Sequence, residues 1–232
     1  MYRCTMLTAL YQRIGESDCE TIGTGVFAQP INAVSSLSFS VIGVAAVWWA
    51  TRVEGNERVV RIVFGVLMML TGAGSVMFHG PQGTGSQFGH DVTFLVTVWF
   101  VAVINIAEAN GWKRSVEWGT FVAGGVVLSL ALVLSPGLTN VLMVATVISL
   151  VASDVVLHRR GRVRTWWYVV SLVTIAVAVA MFLLGRTGAP LCNPDSLFQG
   201  HGLWHVLAAV SLGAYFVATS DSRLTESESA NL

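Results

Sequence analysis

The stretch TWWYVVSLVTIAVAVAMFLLG at residues 165–185 is almost entirely apolar and contains no charged side chain. A helix needs about 20 mainly apolar residues to cross the hydrocarbon core of a bilayer, so this stretch predicts a membrane-spanning helix. Further stretches of the same character are residues 31–51, 59–79, 88–108, 115–135, 138–158 and 198–219. Only 11% of the residues are charged, against about a quarter in soluble proteins. The sequence therefore predicts an all-α integral membrane protein with seven transmembrane helices.

The basic residues predict how these helices are oriented. The loops after the first, third and fifth stretches are rich in arginine. In the loops after the second, fourth and sixth stretches, Arg186 is the only lysine or arginine. Because basic residues accumulate in cytoplasmic loops, we expect the N-terminus outside and the C-terminus in the cytoplasm. Two arginines near the N-terminus oppose this orientation, but the summed bias of the loops outweighs them. The expected organisation is an external segment at 1–28, a transmembrane domain at 29–220 and a cytoplasmic tail at 221–232.

Polar side chains at the outer ends of three helices indicate a functional site. Ser75 and His79 end the second stretch, Asp91 lies near the start of the third, and His201 and His205 begin the seventh. Ionisable groups at membrane depth are costly and usually face the interior of the bundle. Residues i and i+4 share one face of a helix, so Ser75 should lie beside His79, and His201 beside His205. All three helix ends should meet at the external face.

Three imidazoles brought together in this way predict a zinc centre. Three neutral histidines leave the fourth tetrahedral position open for water, which is typical of catalytic rather than structural zinc. Asp91 could act as a base or accept a hydrogen bond from a ligand, and Ser75 could hydrogen-bond the water or a developing oxyanion. One histidine at a membrane interface is more often an anchor than a ligand, but the three together favour zinc.

Other titratable residues are expected to have structural roles. His90 should point about 100° away from Asp91 on a helix, which would leave it at the rim of the site. His158, in the segment HRRGR, should face lipid headgroups at the opposite end of the bundle. Asp154 is expected to form a structural ion pair with Arg159 and Arg160 rather than to act as a proton relay.

Three further motifs accompany these helices: FQGHGLWHVL at 198–207, DCE at 18–20 and NAVSSLSF at 32–39. Together with the SxxxH and HxxxH pairs and the aspartate of the third helix, they resemble motifs of the alkaline ceramidases. These enzymes belong to the CREST superfamily of seven-helix membrane proteins, which also contains the progestin and adipoQ receptors. The order of the motifs along the helices makes the resemblance specific.

The resemblance implies a zinc ion held by His79, His201 and His205, with Asp91 and Ser75 beside the water. It also implies hydrolysis of the amide of ceramide to a sphingoid base and a fatty acid. A related receptor with a structural zinc is the alternative, but an open zinc position lined by Ser75 and Asp91 favours an enzyme. A light-driven pump would need a lysine in the last helix, which has none.

The resemblance also raises the question of calcium. Alkaline ceramidases bind calcium through acidic and amide side chains around the Cys-Glu element and through a glutamate that opens the first helix. Here Glu20 matches that pattern, whereas Ser17, Ile22 and Gln29 stand at other ligand positions. Calcium prefers six to eight oxygen ligands including carboxylates, so at most a residual site at Glu20 and little calcium dependence are expected.

The cysteines predict a disulfide over the site. Cys19 lies in the expected external segment and Cys192 in the expected external loop before the last helix. Disulfides persist on the oxidising side of a membrane, so a bond between them is expected, and the resemblance points the same way. Cys4 is expected to be a free thiol.

The expected partner is a membrane lipid, either ceramide or another N-acyl lipid, that enters the site sideways from the external leaflet. The formal net charge of zero gives no indication of nucleic-acid binding. A short chain with compact loops would suit a bacterial inner membrane, with the site near the periplasmic face.

Overall fold

The computed structural model describes residues 14–161, 163 and 165–229, and the side chains of 14–161, 163 and 166–220. Within this part of the chain the regular structure is helical, with no strand. The α-helices are α1 Pro30–Ala50, α2 Gly55–His79, α3 Ser86–Asn110, α4 Arg114–Leu134, α5 Thr139–Arg159, α6 Thr165–Leu184 and α7 Gly200–Ser229. Seven helices are long and apolar enough to cross a membrane, which confirms the predicted number. The protein is an integral multi-pass membrane protein.

Most helices begin and end within a few residues of their predicted bounds, but α7 is longer. It continues to Ser229, well into the segment predicted as a tail. The chain contains no glycine or proline after Gly213, so nothing in its composition stops the helix there. Short 3-10 helices at Glu16–Asp18 and Pro136–Leu138 precede α1 and α5. Cys4 lies outside the described residues.

Helices α2, α3 and α7 form the interior of the bundle, and α4 and α6 lie at its periphery with mostly exposed apolar faces. The core contains Phe64 and Phe216, whose rings stack with centroids 4.0 Å apart. Because lipid tails are as apolar as the side chains, association between these helices depends on close packing. Helices α1 and α2 meet at two glycines, where a Cβ on Gly43 would lie 2.5 Å from the carbonyl oxygen of Gly65.

A second polar cluster lies at the opposite end of the bundle, and it corrects the expectation for Asp154. Its carboxylate accepts hydrogen bonds from the hydroxyls of Tyr168 at 2.6 Å and Tyr215 at 3.0 Å. Among the described side chains, no ion pair joins Asp154 to Arg159 or Arg160. Those arginines lie about 120–140° around the helix from Asp154, so they face away from α6 and α7.

The end of the bundle that carries the histidines is covered by residues 14–29. We call this end of the bundle the site end. It comprises the N-termini of α1, α3, α5 and α7 and the C-termini of α2, α4 and α6. Cys19 forms a disulfide with Cys192 in the loop before α7, as predicted. The backbone N–H of Thr21 donates to the carbonyl oxygen of Pro194 in the same loop, at 3.1 Å. These links hold the N-terminal segment over the ends of α2 and α7.

Candidate metal centre

The structure brings together the three histidines that the sequence singled out. His79 is the last residue of α2, and His201 and His205 lie in the first turns of α7. All three are buried, and one ring nitrogen of each lies within 4.8 Å of those of the other two. Each imidazole offers a second nitrogen, so the hydrogen bonds of the rings decide which nitrogen faces the common centre.

The side chain of Gln29 lies against the His79 ring. Its amide nitrogen donates to the carbonyl oxygens of Gly15 at 2.9 Å and Glu20 at 3.0 Å. Because both partners can only accept, the amide oxygen is the atom that lies 2.8 Å from Nδ1 of His79. Nδ1 must therefore carry the proton, which leaves Nε2 of His79 with a free lone pair.

Serines of α1 accept a hydrogen bond from the ring of His205 in the same way. The hydroxyls of Ser35 and Ser36 both donate to the carbonyl oxygen of Asn32, at 2.9 and 2.7 Å. The Ser35 oxygen, 3.0 Å from Nδ1 of His205, is thus an acceptor. Nδ1 is again the protonated nitrogen, and Nε2 remains available as a ligand.

The third histidine faces a carboxylate. Oδ1 of Asp18 lies 3.5 Å from Nδ1 of His201, an ion-pair distance that is too long for a good hydrogen bond. Asp18 is buried at the edge of the site, and burial raises the pKa of its carboxyl group, against a smaller opposing effect of the hydrogen bond from Ser17. Neither ring nitrogen of His201 has a hydrogen-bond partner among the described residues; with Nδ1 on the side of Asp18, Nε2 can serve as the ligand.

The remaining nitrogens fit a metal ion. Within the described residues, Nε2 of His79 and Nε2 of His201 are buried without any hydrogen-bond partner. Leaving a buried polar atom unsatisfied costs about 1–3 kcal/mol, so native proteins seldom retain such atoms without a purpose. Three neutral imidazoles that present lone pairs to one centre can hold a metal ion, and this donor set is compatible with zinc.

Ser75 lies next to this centre. It is buried one turn before His79, and its hydroxyl is 3.4 Å from Nε2 of His205 and 2.8 Å from the hydroxyl of Ser36. Because Ser36 already donates to Asn32, Ser75 can donate to Ser36 or turn toward a group bound at the histidines. The SxxxH spacing predicted Ser75 on the face of His79, and its hydrogen-bond contacts are with Ser36 and His205.

Asp91 also lies at the site end, but its contacts differ from the expectation. One carboxylate oxygen is 2.8 Å from Nδ1 of His90, and the other accepts from the hydroxyl of Thr139 at 3.2 Å. His90 was expected to point away, whereas its ring bonds to Asp91 and its centroid is 6.2 Å from that of His79. Successive Cβ atoms diverge by about 100°, yet rotation about the side-chain bonds lets the tips of two neighbours meet.

The carboxylate of Glu20 is engaged by backbone groups rather than left open for a cation. Its two carboxylate oxygens accept hydrogen bonds from the backbone N–H groups of Ile31 at 2.7 Å and Asn32 at 2.8 Å. Glu20 thus caps the first turn of α1, where unpaired N–H groups and the helix dipole favour a negative charge. Burial raises the pKa of Glu20, and the two backbone hydrogen bonds oppose that shift.

Sequence reasoning underestimated three residues of this site: Asp18, Gln29 and His90. Asp18 was quoted only as part of the DCE motif, and Gln29 only as a departure from a calcium-binding pattern. In the sequence, Asp18 stands next to Cys19, and Gln29 stands directly before α1. These positions indicated that both residues lie near the site, but they did not indicate which histidine each one contacts.

The disulfide leads to a direct prediction. In protein labelled with an alkylating reagent without reductant, we expect modification of Cys4 at most, because Cys19 and Cys192 are joined. After reduction under denaturing conditions, all three cysteines should react. Mass spectrometry of the labelled peptides measures both states. Modification of Cys19 and Cys192 in unreduced, natively expressed protein would contradict the bond.

Comparison with known proteins identifies a family for this chain. A family model described as Ceramidase matches residues 19–231, which cover the disulfide and all seven helices. No curated protein sequence is similar enough to the chain to count as a relative.

Proposed function

This chain belongs to the ceramidase family of amide hydrolases that act on lipids, and from that premise we propose that it is a zinc-dependent hydrolase of ceramide or a closely related N-acyl sphingoid lipid. The products would be a sphingoid base and a fatty acid. The observation that carries the proposal is the group of three buried histidines whose ring nitrogens converge within 4.8 Å. The second nitrogens of His79 and His205 lie at hydrogen-bond distance from acceptors, as expected of imidazoles arranged for metal binding, and that of His201 lies 3.5 Å from Asp18.

Each residue near the histidines has a role that its contacts allow. His79, His201 and His205 would hold the metal, and zinc in such a site supplies Lewis acidity and lowers the pKa of water. The Ser75 hydroxyl, beside His205, would donate a hydrogen bond to the amide oxygen as negative charge develops there. Asp91 would accept a proton from the attacking water and pass it to the departing amine as the C–N bond breaks.

His90 would assist Asp91 in this scheme. Its ring nitrogen lies 2.8 Å from the carboxylate, and 24% of its side chain is exposed, so it connects the carboxylate with solvent at the rim. The His90 ring would hold the Asp91 carboxylate in one orientation through this hydrogen bond. His90 thus takes part in proton transfer through Asp91, and its replacement should lower the rate of hydrolysis.

The location of the site suits a lipid amide. The histidines lie at the ends of membrane-spanning helices, and the polar linkage of a membrane lipid would lie near that depth. We propose that the site end faces the external or periplasmic side, which the arginine-poor loops and the disulfide support. The lipid would then enter sideways from that leaflet, since an N-acyl lipid does not readily leave the bilayer.

The activity should depend little on calcium. Both oxygens of Glu20 are engaged by backbone N–H groups, and the amide of Gln29 supplies hydrogen-bond donors to the neighbouring carbonyl oxygens. This arrangement leaves few anionic oxygens for a hard cation. Adding a chelator that binds calcium and spares zinc should leave the rate nearly unchanged.

The test is release of fatty acid from ceramide by zinc-loaded protein in detergent, with and without that chelator. The expected result is release in both conditions, and the His79→Ala variant serves as the inactive control. If neither ceramide nor any other N-acyl lipid is cleaved, the receptor alternative becomes the better explanation. Loss of activity on removal of calcium would show that Glu20 and its neighbours form a cation site.

A further inference from the structure

We propose that Gln29 positions His79 for metal binding and links this ligand to the N-terminal segment. The inference rests on the proposed function only in assuming that the three histidines hold a metal. Gln29 is the residue directly before α1, and its side chain is fully buried, with 0% of its surface exposed.

The Gln29 amide is hydrogen-bonded at both ends. Its nitrogen donates to Gly15 at 2.9 Å and to Glu20 at 3.0 Å, and its oxygen accepts from Nδ1 of His79 at 2.8 Å. An amide nitrogen has two hydrogens, so the two carbonyl oxygens use both of them. The amide plane therefore cannot turn without breaking several bonds, and the acceptor that faces His79 is held in one place.

The backbone reinforces the same contact. The N–H of Gln29 donates to the carbonyl oxygen of His79 at 2.8 Å, and the N–H of Ala28 donates to that of Gly80 at 2.9 Å. Gln29 thus contacts both the main chain and the ring of His79. Because His79 is the last residue of α2, its ring has no following helical turn to hold it, and Gln29 supplies that support.

The glycine at position 15 leaves room for this amide. A Cβ on Gly15 would lie 2.3 Å from the Gln29 amide oxygen, and the φ of Gly15 is +76°, which side chains rarely adopt. A glutamate in place of Gln29 would present a carboxylate to two carbonyl oxygens, and it would lack the hydrogens that now join them. Glutamine therefore suits this position as donor and acceptor at once.

Gln199 offers a matched control, because it is another buried glutamine directly before a site helix. Its amide nitrogen donates to the carbonyl oxygens of Asn193 and Ser196, at 3.1 and 2.7 Å. Its described contacts hold the loop before α7 and include no histidine. Replacement of Gln199 therefore measures how far the loss of any buried amide at the site end lowers the unfolding midpoint and the zinc affinity.

The experiment measures zinc affinity in purified, full-length protein without lipid, by competition with a chromophoric chelator, together with the midpoint of thermal unfolding. Gln29→Met removes the acceptor and the donors, and Gln29→Glu keeps an acceptor for His79. Loss of a group that orients a metal ligand typically weakens affinity about 10–100-fold, which is the expected result for Gln29→Met. Gln29→Glu and Gln199→Met should lower the unfolding midpoint while zinc affinity stays within a few-fold of native.

Two results would overturn the role of Gln29: native zinc affinity in Gln29→Met, or an equal loss in Gln199→Met. An equal loss in Gln29→Glu at an unfolding midpoint no lower than that of Gln199→Met would also overturn it, because the carboxylate would then offer an acceptor without restoring the affinity. Native protein that binds zinc but cleaves no N-acyl lipid would remove the proposed function and leave this inference intact. Native protein without zinc affinity would remove both.

Discussion

Replacing His79, His201 or His205 by alanine is expected to remove both the metal and the activity. Native protein should contain about one zinc per chain, because the three rings provide the three protein ligands of a catalytic site. Each variant keeps only two ligands, and two imidazoles in a buried pocket hold zinc far more weakly. Metal analysis of purified protein and fatty-acid release from ceramide measure the two losses in the same samples.

His158→Ala is the matched control for this series. His158 lies at the opposite end of the bundle, where its ring stacks on Tyr168 with centroids 5.1 Å apart. Its removal should leave zinc content and rate at native values. Full zinc occupancy in all three site variants would refute the metal centre, whereas metal loss in His158→Ala would show that the assay reports general instability.

Asp91→Asn is expected to retain the metal and to lose most of the hydrolysis. Asparagine preserves the shape and one acceptor but cannot carry a proton, and positioned acid or base groups typically contribute about 10²–10⁴ in rate. The loss should appear in kcat and in kcat/KM alike, because proton transfer contributes in the transition state and not to substrate binding. Steady-state kinetics on zinc-loaded protein measures both constants.

His90→Ala should give a smaller loss than Asp91→Asn, since it removes a partner of the carboxylate and leaves the carboxylate in place. Asp154→Asn is the control for removing a buried carboxylate, and it should lower stability while the rate remains near native. A larger loss in His90→Ala than in Asp91→Asn would assign the proton transfer to His90. Native activity in Asp91→Asn would remove Asp91 from the mechanism.

Much of the fold follows from composition alone. Each membrane-spanning helix satisfies its own backbone hydrogen bonds and only needs enough apolar residues, so its existence is a local property of about 20 residues. For the same reason Ser75 with His79, and His201 with His205, could be paired from their spacing, because the period of a helix determines which residues share a face.

Only the tertiary structure decides which residues form hydrogen bonds with these side chains. Gln29 and His79 are separated by 50 positions, and Ser35 and His205 by 170. Helical periodicity says which face a side chain occupies, but it does not say which residue of another helix or loop lies opposite. Asp18 beside His201 depends on how the disulfide holds the N-terminal segment over the bundle.

Two of the expectations that differ from the structure have the same origin. For Asp154, nearby arginines in the sequence suggested an ion pair, whereas the helix directs its carboxylate toward two tyrosines of α6 and α7. For His90, the angle between neighbours on a helix suggested separation, whereas rotation of its side chain brings the ring to Asp91. The sequence determined the helices, their apolar lengths and the spacing of the histidines. The packing of helix ends and of the N-terminal segment decided which polar atoms meet, because such contacts join distant parts of the chain.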